Sequence, residues 1–263
     1  DAGIDIDCAY FDEAHTACTR NFFVSVAACS EVSQRCYFFT ATPRTSRKHS
    51  RGMNNSAIFG QVIENVPAPE LIHNGSILPP KVVAFETDHV RNRVTAPQVD
   101  ADSVISIVDS LKEEHSSKIL VASPTTRIMW NMLSRSDLIS RLKERGYNVL
   151  HITSKHGAYV NDQKVNRDVF FNTLTEWGQD PTKKFIVFHY SILSEGINVP
   201  GLTHTILLRN LNIVEMAQTI GRVIRVDKQD ASEIAAGSII PGKFEMYRKP
   251  CGFVSVSVHS NYA

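Results

Sequence analysis

Long hydrophobic runs are missing from this 263-residue sequence, and no uninterrupted apolar stretch approaches the ~18 residues of a membrane-spanning helix. Cysteine is sparse as well. Cys8, Cys18, Cys29, Cys36 and Cys251 form neither a C-x-x-C pair nor an even framework, which argues against a disulfide scaffold or a zinc site and for reduced thiols in a cytoplasmic setting, that of a host cell if the source is viral. Excess charge of one sign is also absent. Lys plus Arg number 28 against 27 Asp plus Glu, so attraction to a polyanion has to come from local patches. The sequence has no methionine at its start, and Asp1 leads directly into the alternating run Ile4-Asp5-Ile6-Asp7-Cys8-Ala9-Tyr10-Phe11, as if it begins inside a folded element.

What is present is ordinary globular material, 43% apolar and 21% charged, enough for one or two domains and unlike disordered, collagenous or coiled-coil chains. Apolar runs of strand length at 7–11, 35–40, 81–86, 118–122, 148–152, 184–189 and 204–208 alternate with segments of helical period at 15–30, 102–115, 127–144, 162–177 and 212–226. Such alternation predicts an α/β fold with mainly parallel sheets. Pro67, Pro69, Gly75, Pro79 and Pro80 interrupt the pattern, dividing it into a first lobe at 1–80 and a second at 81–263. From Glu31 to Glu64 no acid intervenes, while Arg35, Arg44, Arg47, Lys48 and Arg51 supply cations. A solvated loop and a contact to a phosphate backbone both fit that bias.

The strongest local signal is Asp12-Glu13-Ala14-His15, where an apolar strand gives way to a helix. Ligands of open α/β sheets bind at that edge. One carboxylate there can hold Mg²⁺ through its water shell and a second can orient an attacking water, roles that suit Asp12 and Glu13; paired acids also serve as plain helix starts. A second strand runs into Thr40-Ala41-Thr42-Pro43-Arg44, whose hydroxyls could bond the neighbouring carboxylates or simply end the strand in a turn.

Further on, Gln218, Arg222 and Arg225 stand at i, i+4 and i+7, so a helix through them places all three on one face. Ile213, Met216, Ile220, Val223 and Ile224 are expected on the opposite, core-facing side. Paired arginines can stabilise charge on a transferring phosphoryl group, or form surface salt bridges. Gly196 and Asn198, in Ser194-Glu195-Gly196-Ile197-Asn198-Val199-Pro200-Gly201, could approach a nucleotide or make a turn. Gly237 to Phe244 matches G-x-x-x-x-G-K but ends in Phe where a Mg²⁺-binding hydroxyl is required, and it precedes 244–249 and 253–258, which read as a closing β-hairpin. It is expected to be a turn.

In order along the chain, DEAH at 12–15, TATPR at 40–44, SEGIN at 194–198 and QTIGRVIR at 218–225 resemble motifs II, III, V and VI of superfamily 2 DEAD/DEAH-type helicases, with the flavour of phage or restriction-type DNA enzymes. The resemblance spans residues 1 to about 226. It implies two RecA-like lobes, ATP and Mg²⁺ as cofactors, and a nucleic acid, DNA by that flavour, as partner. By the same resemblance, Asp12 binds Mg²⁺, Glu13 activates water, and His15, Thr40 and Thr42 couple hydrolysis to motion. Gly196 and Asn198 touch nucleotide, and Gln218, Arg222 and Arg225 reach the γ-phosphate across an interlobe cleft. Arg44, Ser123 and Thr125 meet nucleic acid, the last two from the position of motif IV.

Two departures are visible. Tyr190-Ser191 stands where the family usually has Thr near the start of motif V. Motif I, the phosphate loop expected upstream of motif II, is not in the sequence, so the first lobe is expected to be incomplete and this chain alone inactive. The rival expectations are a non-catalytic nucleic-acid-binding module and the translocating subunit of a restriction system.

Overall fold

The structure, a computed structural model, describes residues 5–47, 51–87, 89–111, 116–190, 199–208, 211 and 213–259. It divides into two compact units, Asp1–Val66 and Pro67–Ala263.

In the first unit, strands β1 (Ile6–Phe11) and β2 (Ser33–Phe38) pair in parallel with Phe11 opposite Phe38. Helix α1 (Arg20–Val32) joins them, preceded by a 3₁₀ turn at Ala14–Cys18. The helical period read from residue 15 is broken at Thr19, whose extended backbone (ψ 151°) separates the 3₁₀ turn from α1. A small core forms where Phe11 stacks on Phe38 at 4.8 Å and Phe59, from the short helix α2 (Ser56–Phe59), meets Phe38 edge-on. Tyr10, Phe22, Val24, Val32 and Phe39 remain more than half exposed. Two strands and one long helix offer too little surface to cover them, as expected of a sheet this narrow.

In the second unit, helix α3 (Ala68–His73) leads to an eight-stranded sheet. Its strands are β3 (Pro80–Thr87), β4 (Lys118–Ala122), β5 (Asn148–Thr153), β6 (Gly157–Val160), β7 (Gln163–Val165), β8 (Phe185–His189), β9 (His204–Leu207) and β10 (Gly252–His259), in the order β3-β10-β9-β4-β8-β5-β6-β7. All neighbours from β3 to β5 are parallel, and β6 and β7 add an antiparallel edge. Strands β4 and β8 are buried along their whole length, which is why they read as continuous apolar runs rather than alternating ones. Helices α4 (Ala96–Ser110), α5 (Thr126–Arg135) and α6 (Leu138–Glu144) supply Val104, Ile107, Met129, Met132 and Leu142 to the core on one face. Phe170 and Leu174 of α7 (Arg167–Gln179) and Val223 of α8 (Ile213–Val223) belong to the core on the other. A last helix, α9 (Lys228–Ala235), follows α8.

Several expectations change here. The closing hairpin does not form: 244–246 is a 3₁₀ turn, and β10 is one long strand inserted in parallel between β3 and β9. Adjacent segments suggest a hairpin, but β10 pairs along its length with two distant strands instead. The helix read over 127–144 is two helices, because Ser136 turns extended and its hydroxyl donates back to the Met132 carbonyl at 2.5 Å. The helix read from 162 begins at Arg167, after a hairpin turn in which Asn161 takes positive φ and Asn166 caps the helix by accepting from the Val169 N–H. The fold remains the mainly parallel α/β arrangement that the alternation of strands and helices predicts.

Candidate functional site

The first unit brings its motif residues together. Asp12 and Thr40 follow the C-terminal ends of the two parallel strands, and the Ala14 N–H donates to the Phe39 carbonyl at 2.9 Å, tying the two loops. His15, buried, sits at their junction: its Nδ1 lies 3.0 Å from Thr40 Oγ1, 3.4 Å from Thr42 Oγ1 and 3.4 Å from Glu13 Oε2. The Thr42 N–H also donates to Thr40 Oγ1 at 3.1 Å. One imidazole therefore touches the carboxylate motif and both hydroxyls of the second loop.

Glu13 adopts φ 49° and ψ 44°, the left-handed region, where a non-glycine residue is held at a cost of about 1–2 kcal/mol. Its N–H donates to Asp12 Oδ1 at 2.8 Å, and its carbonyl accepts from Thr16 Oγ1 at 2.9 Å. Both carboxylates are exposed. The donor set suits Mg²⁺, a hard ion that keeps most of its waters and needs only one or two protein carboxylates. Among the described residues no group of three or more His, Cys, Asp or Glu side chains could enclose a metal. Asp12 also borders a cavity of about 360 Å³, otherwise lined mostly by apolar residues such as Phe11, Phe22 and Val26. Arg44 is exposed, and its carbonyl accepts from the Met53 N–H.

The second unit gathers cations in a groove of about 660 Å³. Among the described residues, Arg222, Arg225, Lys228 and Lys249 line it together with the carboxylate of Asp227, which is engaged as the cap of α9. Its backbone walls are Gly178-Gln179 and 199–202. These segments precede β8, β9 and β10, so the groove lies at the N-terminal edge of the parallel sheet. Gly178 and Gly201 are required by close approach: a Cβ on Gly201, at φ 69°, would lie 2.1 Å from the Gly178 oxygen, and one on Gly178 would lie 2.4 Å from the Pro200 oxygen.

Two lysines pin these walls. Lys118 Nζ donates to the carbonyls of Gly178 at 2.6 Å and Asp180 at 2.7 Å. Lys249 Nζ donates to those of Leu202 at 2.6 Å and Arg225 at 3.0 Å. Burial lowers the pKa of both, that of Lys249 to about 8. Burial, with Lys249 nearby, also pushes His204 down to about 4. Neither lysine belongs to a recognised motif. Lys118 could have been noticed as a charge opening the apolar run Ile119-Leu120-Val121-Ala122, whereas Lys249 carries no local signal.

Placement of the other expected residues is mixed. Helix α8 ends at Val223, so the helical spacing covers Gln218 and Arg222 but not Arg225, which lies in an extended bridge with Ile77. Arg225 and Arg222 nevertheless line the same groove. Arg222 is 6% exposed, while Met216, expected on the core side, is 39% exposed. Ile220, Val223 and Ile224 do pack into the core. Ser123 is fully buried, its N–H donating to the His189 carbonyl and its hydroxyl unpartnered, so it offers no surface to a nucleic acid. Thr125 is exposed and caps α5 by accepting from the Ile128 N–H at 3.1 Å. Gly196 and Asn198 lie outside the described residues. The segment from Gly237 to Phe244 is a turn that follows α9, with both glycines at positive φ.

Residues 102–227 match the helicase conserved C-terminal domain family. No curated protein matches the chain at a significant level. Among solved structures, the fold is similar to that of an ATP-dependent Type ISP restriction-modification enzyme, LlaBIII, bound to DNA (15% identity, TM-score 0.60), over 100% of this chain and 22% of that one. It is similar to a putative HsdR subunit fragment of a type I restriction enzyme from Vibrio vulnificus (15%, 0.59; 96% and 53%) and to the Mycobacterium smegmatis helicase Lhr bound to single-stranded DNA and AMP-PNP (15%, 0.52; 95% and 28%). The chain thus spans roughly a fifth to a half of these proteins' lengths. The residues that match this family all lie within the second unit.

Proposed function

We propose that the chain is part of an ATP-driven nucleic-acid helicase or translocase, acting on DNA, with the first unit as the C-terminal portion of one RecA-like lobe and the second unit as the other lobe. The observation that carries this reading is the His15 cluster, in which one buried imidazole links Glu13 to Thr40 and Thr42 at the C-terminal edge of two parallel strands. In this reading Asp12 holds Mg²⁺ through water, and the ion supplies charge neutralisation of the β- and γ-phosphates. Glu13 orients the attacking water. His15 transmits the state of Glu13 to the Thr40–Thr42 loop, and Arg222 and Arg225 stabilise charge on the γ-phosphoryl group, with Gln218 beside them. Gly196 and Asn198 contact nucleotide, and Arg44 and Thr125 contact the nucleic-acid backbone. The exposed Tyr10, Phe22, Val24 and Phe39 support a first lobe completed by further chain. DNA as the track draws support from the DNA named with the LlaBIII and Lhr structures.

The test is ATP hydrolysis with and without DNA. Residues 1–263 are expected to turn ATP over at background, because they hold no phosphate loop. A form extended upstream through such a loop is expected to be DNA-stimulated and silenced by Glu13→Gln. Strong DNA-stimulated turnover by residues 1–263 that Glu13→Gln abolishes would overturn the partial-lobe reading. An extended form without DNA-stimulated hydrolysis would overturn the motor and favour a non-catalytic binding module.

A further inference from the structure

Four rings outside the motifs meet on one face of the second unit. His151 of β5 and Tyr159 of β6 are direct partners across the antiparallel ladder, so both side chains stand on the same face, with centroids 4.6 Å apart and planes 18° from parallel. Between the strands, Thr153 Oγ1 accepts from the His156 N–H at 2.8 Å and Gly157 turns the chain back at φ 86°. This turn lays the His156 imidazole flat on the Trp130 indole of α5, at 3.9 Å and 6°. Trp130 also meets His151 edge-on and Tyr159 at a tilt, each at 6.0 Å.

A cluster serving the core alone would be buried throughout. Here only His151 is, at 5% exposure, while Trp130, His156 and Tyr159 are half-buried. Among the described residues, the Trp130 Nε1–H, the His156 ring nitrogens and the Tyr159 hydroxyl make no hydrogen bond, and the buried Nδ1 of His151 has no partner either, an uncommon state for a buried polar atom. The rings thus combine flat π surface with unused donors and acceptors, the two features that recognise an unpaired base. Charge selects among flat ligands. The segments that carry the rings, 126–135 and 148–160, contain Arg127, Arg135 and Lys155 and no acid, which disfavours an organic cation and suits a ligand that bears phosphate.

We propose that the Trp130–His156 pair, held in place by His151 and Tyr159, is a stacking platform for an unpaired base of single-stranded nucleic acid. The proposal rests on reading nucleic acid as the track, and it adds a contact to a base where that reading has contacts to the backbone alone. Thr125, one of those backbone contacts, caps the helix that carries Trp130, about 7.5 Å away along its axis at 1.5 Å per residue. One helix therefore presents a backbone contact and a base contact to the same strand.

Trp130 and Trp177 are the only tryptophans in the sequence, so Trp177→Phe leaves the platform as its own reporter. The experiment titrates this form of the 263-residue chain with single-stranded oligothymidylate and with an abasic strand of the same length, at about pH 8, above the ordinary range of histidine. Trp130 fluorescence reads stacking, and the anisotropy of a label on the strand reads binding. Oligothymidylate is expected to quench Trp130, and the abasic strand to bind more weakly and leave the fluorescence unchanged. Trp130→Ala should weaken oligothymidylate binding about five- to a hundredfold, the range for one base on an aromatic ring, with abasic binding as before. Trp130→Phe, which restores a flat ring, should recover most of that loss. His156→Ala, in the turn, should weaken oligothymidylate in the same direction and keeps the test open if Trp130→Ala fails to fold. Equal affinity or equal quenching for the two strands, or a folded alanine variant that binds oligothymidylate as tightly as before, would overturn the platform and leave the backbone reading standing. Binding of neither strand would overturn both.

Discussion

His15 Nδ1 lies 3.0 Å from Thr40 Oγ1, and that contact joins two loops twenty-five residues apart at the edge of one parallel strand pair. Because the same nitrogen is within 3.4 Å of Glu13 Oε2, a change at the carboxylate has a short path to the Thr40–Thr42 loop. In an extended, active form, His15→Ala is expected to retain nucleotide binding and lose stimulation of hydrolysis by DNA. Parallel measurement of nucleotide affinity and of DNA-stimulated turnover checks this, and equal losses in both would show His15 to be a packing residue.

Glu13 should be less stable than a glycine would be in its place. Its φ of 49° strains any residue with a Cβ, so Glu13→Gly is expected to stabilise the first unit by about 1 kcal/mol, while Glu13→Gln leaves stability unchanged. Urea unfolding followed by fluorescence reads the difference. A destabilised Gly variant would mean that side-chain contacts outweigh the strain.

Acid should destabilise the second unit in a defined window. His151 and His204 both have pKa values lowered from 6.5 to about 4, first by burial, with His156 and Lys249 respectively adding to the effect. The unfolded chain therefore binds more protons than the folded one between about pH 6.5 and 4. Stability is full above 6.5 and is lost as pH falls through that range, by up to about 3 kcal/mol per histidine. Denaturant midpoints at intervals from pH 7.5 to 4 should trace the fall, and His204→Gln should reduce its slope by about one proton.

The two glycines under the cationic groove should be intolerant for a reason that a glycine in open space, such as Gly146, does not share. Gly201 and Gly146 both have positive φ, but a Cβ on Gly201 meets the Gly178 oxygen at 2.1 Å while one on Gly146 meets nothing within 4 Å. Gly146→Ala is expected to cost about 1 kcal/mol and Gly201→Ala at least about 3 kcal/mol. Equal losses in urea unfolding would show that the groove's backbone can spread.

Periodicity and chemistry in the sequence were enough for the fold class and for the grouping of the first unit's motif residues. Strand 118–122 is where its apolar run says it is, because a strand buried on both faces needs no alternation. Asp12, Glu13, His15, Thr40 and Thr42 could be grouped in advance, because consecutive parallel strands deliver the residues after them to one edge. That rule is also what hides the second site. The groove containing Arg222 and Arg225 lies at the opposite, N-terminal edge, since α8 runs back across the sheet before it ends. Helical spacing grouped the arginines, yet the helix stops at Val223, and Arg225 reaches the cavity from an extended bridge instead. Lys118, Lys249 and Gly178 enter the site through partners 60, 47 and 24, and 22 residues away. Local pattern carries no trace of such pairings, which arise only when β10 inserts between β3 and β9 and brings the chain's last segment beside the groove. Backbone carbonyls at the end of α7, after α8 and before β9 accept from these long cationic side chains, and that pairing is set by burial and distance, not by neighbours in sequence.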